Sequence, residues 1–104
     1  MNQDAFNVIL ERRKYEITDT LTHKAAEYAT EDRLHNFKAA ALLQGNTPEQ
    51  ALVGMLSKHL VSVIDMVNSN FAYPIKTWDE KIGDSINYLI LLEALLQDTG
   101  RSIQ

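Results

Sequence analysis

The sequence predicts an all-α domain of four helices, and three observations carry the prediction. Apolar residues return mostly at steps of three or four, as they do on one face of a helix. Thr47-Pro-Glu-Gln50 and Thr77-Trp-Asp-Glu80 both have capping-box spacing: the threonine oxygen accepts a free first-turn N–H, and the Gln or Glu side chain accepts the threonine's own N–H. No useful length of chain alternates apolar and polar residues as a half-buried strand would. With 104 residues the chain suits one domain, residues 1–104, short enough that partner subunits often complete such a core.

The first helix is expected from about Asp4 to Ala29, a stretch without Gly or Pro whose apolar positions are Phe6, Leu10, Ile17, Leu21, Ala25 and Tyr28. Three threonines between Thr18 and Thr22 lower helix propensity and mark a place for an interruption. Ala29-Thr-Glu-Asp32 reads as the turn that starts a second helix, Arg33 to Gln44, with Leu34, Phe37, Ala41 and Leu42 facing inward. Gly45-Asn46 stops it.

The third helix follows the Thr47 box, with Pro48 at the first position, where its missing N–H costs nothing, and runs to about Val67. Leu52, Met55, Leu56, Leu60, Val63, Met66 and Val67 form its apolar stripe, and Lys58, Ser62 and Asp65 a polar one. Turn-forming residues between Asn68 and Pro74 make a loop. The fourth helix is expected to start at the Thr77 box and to end near Asp98-Thr-Gly100. From Ile86 to Leu96 only Asn87, Tyr88 and Glu93 interrupt its apolar character, so it reads as a central post enclosed by the others.

Hydrophobic residues at 45% and charged residues at 23% belong to an ordinary folded protein. The net charge of −4 argues against general nucleic-acid binding, because neutralising phosphates needs a basic surface. With no cysteine, disulfides, thiolate metal sites and cysteine nucleophiles are excluded, which fits a reducing cytosol. No stretch resembles a signal peptide, and apolar runs such as Leu89 to Leu92 are far too short to span a bilayer, so a cytoplasmic protein without membrane partners is expected.

Three polar groupings stand out. Glu80, Asp84 and Asn87 recur at steps of four and three, which puts two acids and an amide on one side of the fourth helix, as a hard cation such as Mg²⁺ would require. The plainer account of Glu80 is a capping-box or first-turn acid favoured by the helix dipole. Lys58 and Asp65 share a face of the third helix beside His59, where lysine can meet a phosphate and aspartate can orient it or join a metal site; a solvated face and a core histidine explain them too. At the corner between the first two helices, Tyr28, His35 and Asn36 offer stacking and hydrogen bonding to a nucleotide, or helix capping. The three histidines form no close-spaced zinc motif, and no Walker loop, nucleophile elbow or Rossmann glycine pattern occurs, so any catalysis would be metal-assisted.

The order of these motifs resembles a known family. Glu27-Tyr28, His35-Asn36-Phe37, Lys58-His59-Leu60 and Glu80-Lys-Ile-Gly-Asp84-Ser-Ile-Asn87-Tyr-Leu are similar, over roughly Glu27 to Leu96, to phage-encoded MazG-like all-α nucleotide pyrophosphohydrolases, including dATP/dGTP diphosphohydrolase-like phage proteins. That resemblance implies a four-helix MazG-like bundle completed by homo-oligomerisation in the cytoplasm of a bacterial host. It implies Mg²⁺-dependent splitting of a (deoxy)nucleoside triphosphate to monophosphate and pyrophosphate. Carried over residue by residue, it matches Asp84 to the motif's metal-binding aspartate; Glu80 joins as a metal ligand, Glu27, or else Glu16 or Glu11, completes the acid cluster, and Lys58 and Asp65 of the third helix are the candidate catalytic groups. Tyr28, His35, Asn36, His59 and Asn87 then contact the nucleotide.

The sequence departs from the family pattern at two points. Lys81 stands where the family places a glutamate three residues before the aspartate, so Glu80 has to substitute from one position earlier. The usual Glu-x-x-Glu pair on the preceding core helix is missing, and only Asp65 lies there. That sparse acid set supports an alternative, a counter-defence protein that sequesters a nucleotide signal without turnover; another alternative is a protein that blocks a host or defence enzyme through its acidic surface, with no small-molecule site.

Overall fold

The structure, a computed structural model, describes residues 1–23 and 32–100. Among them are four helices and no strand: α1 Gln3–His23, α2 His35–Gln44, α3 Pro48–Asn68 and α4 Ile75–Asp98. The chain divides into two compact units, Met1–Glu31 and Asp32–Gln104.

The first unit contains α1, none of whose residues is buried. Its register is held on the surface by ion pairs one turn apart, Arg12 to Glu16 at 3.0 Å and Lys14 to Glu11 at 2.8 Å. His23 Nδ1 lies 2.6 Å from Asp19 Oδ1 at its last turn. The Thr18 hydroxyl bonds back to the Lys14 carbonyl, and α1 continues unbroken through the threonines where the sequence marked an interruption. The expected continuation to Ala29 lies outside the described residues.

In the second unit α3 packs against both α2 and α4. The role of central post therefore belongs to α3 and not, as the sequence suggested, to α4. Leu34, Phe37, Leu52 and Leu95 form the core, with Met55, Tyr88, Leu91 and Leu92 packed around it. α4 touches this core on one side only: of its residues Gly83, Ser85 and Leu95 are buried, whereas Leu89 and Ile90 are exposed. Three other inward assignments are corrected as well. Leu42 is 86% exposed, because it sits about 100° around the helix from the buried Ala41, and Val67 and Leu60 lie outside the buried edge of α3.

Helix ends follow local chemistry. Gly45, with φ of 69°, closes α2 in the left-handed region, and the Asn46 N–H donates to the Ala41 carbonyl at 3.0 Å. The Thr47 box forms in full: the Gln50 N–H donates to Thr47 Oγ1 at 3.2 Å, and the Thr47 N–H to Gln50 Oε1 at 2.9 Å. The Thr77 box does not form. α4 starts earlier because Pro74 adopts an extended cap whose carbonyl accepts the N–H groups of Thr77 and Trp78, at 3.0 and 3.3 Å. Edge-to-face contacts from Phe71 to Tyr73 and from Tyr73 to Trp78 fix this entry.

Two polar ties close the second unit. The Thr99 hydroxyl donates to the buried carboxylate of Glu49 at 2.8 Å, joining the end of α4 to the start of α3. Lys38 Nζ lies 2.7 Å from both Asp32 Oδ2 and Asp98 Oδ2, linking α2 to both.

Candidate functional site

Of the residues singled out, His59 on α3 and Asp84 on α4 meet where these helices pack. His59 projects from α3 with Nδ1 3.6 Å from Asp84 Oδ2 on α4, too long for a good hydrogen bond but within ion-pair range when the imidazole is protonated. Its ring also stacks, tilted by 30°, on Tyr88 at a centroid distance of 5.0 Å. Tyr88 lies one turn beyond Asp84, and its ring meets the edge of Phe37 from α2 at 6.3 Å. One aromatic row thus runs from the core at Phe37 through Tyr88 to His59, with the Asp84 carboxylate at its outer end.

Asn87, next to Tyr88, supplies the unusual feature. Its side-chain Oδ1 is buried and has no hydrogen-bond partner. A buried amide oxygen left unpaired costs on the order of 1–3 kcal/mol, so this position lowers the stability of the free protein. Nearby Ser85 satisfies itself within α4, donating to the Lys81 carbonyl at 3.0 Å.

The remaining assigned residues are distributed differently. Glu80 is exposed one turn before Asp84, and the Asp84 side chain is about half-exposed, so both carboxylates open to solvent from one helix. Lys58 and Asp65 are exposed on α3, and among the described residues no ion pair joins Lys58 to Asp84. His35 and Asn36 are exposed on the first turn of α2. Glu27 and Tyr28 lie outside the described residues. Among the described residues no three His, Asp or Glu side chains gather as a metal centre.

Tyr88 is the site residue that sequence reasoning passed over, treating it as a mere interruption of an apolar run. Its signal was its spacing: four residues after Asp84, it shares that residue's face. Comparison with family models, with characterised proteins and with solved structures finds no match to this chain.

Proposed function

We propose that this chain is a MazG-like nucleotide-binding protein, assembled as a homo-oligomer, that hydrolyses a (deoxy)nucleoside triphosphate to monophosphate and pyrophosphate with Mg²⁺. The observation that supports it is the meeting of two separate motifs: Lys58-His59-Leu60 on α3 and the Glu80-to-Leu89 segment on α4 join through His59, Asp84 and Tyr88, beside an unpaired Asn87. A nucleobase offers both things this place asks for, an aromatic face for stacking and ring-edge hydrogens for a buried amide oxygen.

Glu80 and Asp84 suit Mg²⁺ in donor chemistry, since that ion is commonly held by one or two carboxylates together with substrate phosphates. When bound, Mg²⁺ would neutralise phosphate charge and acidify an attacking water. His59 would hold the Asp84 carboxylate in orientation, and Asn87 with Tyr88 would position the base. The test is pyrophosphate release across a nucleotide panel: Mg²⁺-dependent turnover is expected in the native chain and at least tenfold less in Asp84→Ala. Equal turnover in both would remove Asp84 from the mechanism.

A second reading is favoured by the absence, among the described residues, of a three-ligand acidic cluster. In it the same site holds a nucleotide without turnover. Nucleotide-induced thermal stabilisation that is unchanged by EDTA, with no pyrophosphate released, selects this reading over the first.

A further inference from the structure

We infer that the outer face of α3 seats a second copy of this chain, whose own α3 lies antiparallel along it. The inference rests on the reading of the bundle as an oligomer, and it holds whether or not a nucleotide is cleaved. Five apolar side chains on this helix, Val53, Leu60, Val61, Ile64 and Val67, are exposed. Two of them, Val61 and Ile64, are the apolar members of a seam that small and polar residues continue in both directions. Gly54, Ser57, Val61, Ile64 and Asn68 follow one another at alternating steps of three and four, the a and d positions of a heptad repeat. Val53, Leu60 and Val67 flank the seam on one side at intervals of seven, and Lys58 and Asp65 flank it on the other, also seven apart.

Charge decides both the partner and its direction. Lys58 and Asp65 are exposed and take part in no ion pair with the described residues. In an antiparallel pair, packing Val61 on the partner's Ile64 brings Lys58 beside the partner's Asp65, twice by symmetry. The same register sets Leu60 against the partner's Val67 on the opposite flank. One surface is thus complementary to itself, as a two-fold interface requires. A parallel pair would instead lay Leu60 against the partner's Asp65 and leave the charges unmatched. Gly54, where an added Cβ would meet nothing within 4 Å, leaves room at the end of the seam. α3 is also the one described helix long and apolar enough to cross a membrane, but Lys58, His59 and Asp65 along it are costly in hydrocarbon, whereas Lys58 and Asp65 meet in the paired arrangement and His59 faces Asp84 of α4.

Sedimentation velocity of the full chain tests this with Lys58→Asp, Asp65→Lys, the double swap and Ile64→Lys. All four changes fall at exposed positions, so circular dichroism should show the fold retained. The native chain is expected to dimerise at micromolar concentration. Each single reversal should weaken the dimer by about tenfold, the double swap should restore it, and Ile64→Lys should give monomer. A native monomer, floating with phosphatidylcholine vesicles or not, would overturn both this inference and the oligomer reading. A dimer indifferent to all four changes would keep the oligomer and reject this face. Weakening without rescue by the double swap would reject the antiparallel register.

Discussion

His59 on α3 reaches Asp84 on α4 with its Nδ1 while its ring lies against Tyr88, so a single side chain joins a half-exposed carboxylate to the core's aromatic row. Removing the ring breaks both contacts at once. His59→Ala should lower unfolding free energy by about 1–2 kcal/mol, mostly through the lost aromatic contact, since the partly exposed ion pair is worth little. His59→Phe should recover most of that stability in denaturant titration yet leave nucleotide affinity reduced. Full recovery of both would make the ion pair irrelevant.

The two threonine boxes give a sharper contrast. Thr47 caps α3 with both reciprocal hydrogen bonds, whereas Thr77 lies inside α4, downstream of the Pro74 cap. Thr47→Ala should therefore cost about 1 kcal/mol, and Thr77→Ala under about 0.5 kcal/mol. Equal losses in urea titration would put the start of α4 back at Thr77.

Those boxes also show how far the sequence could be read. Thr47-Pro48 and Gly45 act through atoms within four residues, so their geometry was legible from the chain alone. Thr77-Glu80 had the same capping spacing but lost to a start signal three residues earlier, and nothing within the box reports that competition. Leu42 and the Ile86–Leu96 run show the second limit. Apolar identity says that a side chain would gain by burial, while the neighbour that buries it is set by packing; α3 covers only one side of α4. At the site, the shared face of Asp84 and Asn87 was legible from helical spacing. The approach of His59 to Asp84 depends on how α3 and α4 dock, which no local pattern encodes.

Core truncations should separate sites by burial and not by residue type. Leu52 and Leu95 are fully buried, and Leu42 is almost fully exposed. Leu52→Ala or Leu95→Ala should cost about 2–5 kcal/mol, and Leu42→Ala under about 0.5 kcal/mol, with the denaturant slope unchanged.

Lys38 makes the fold sensitive to pH at both extremes. Its hydrogen bond to Asp32, with a second from the Leu34 N–H, holds the Asp32 carboxyl below the usual range; Asp32 and then Asp98 raise the Lys38 ammonium. A lowered carboxyl stabilises above its unfolded value and loses that contribution as pH falls through the folded one. A raised ammonium stabilises below its unfolded value and loses its contribution as pH climbs through the folded one. The native chain should therefore melt above Lys38→Met between about pH 5 and 9, with the gap closing at either end and shrinking in high salt. A gap that persists at pH 2 would assign the effect to packing of the lysine stem.

Asn87 separates stability from binding. Its buried Oδ1 lacks a partner, so in the free protein the amide costs stability that an apolar side chain of similar size would not. Asn87→Leu should raise the unfolding free energy of the free chain by about 1 kcal/mol, or leave it unchanged, because the lost desolvation penalty offsets a modest change in shape. Nucleotide-induced stabilisation should fall in the same variant, because the position that a ring-edge hydrogen would fill no longer accepts one. Asn87→Asp keeps the acceptor but adds a charge at a buried position, so it should destabilise the free chain and bind no better. If thermal shift showed Asn87→Leu both less stable and unchanged in nucleotide response, the unpaired oxygen would have a structural role and the base would lie elsewhere.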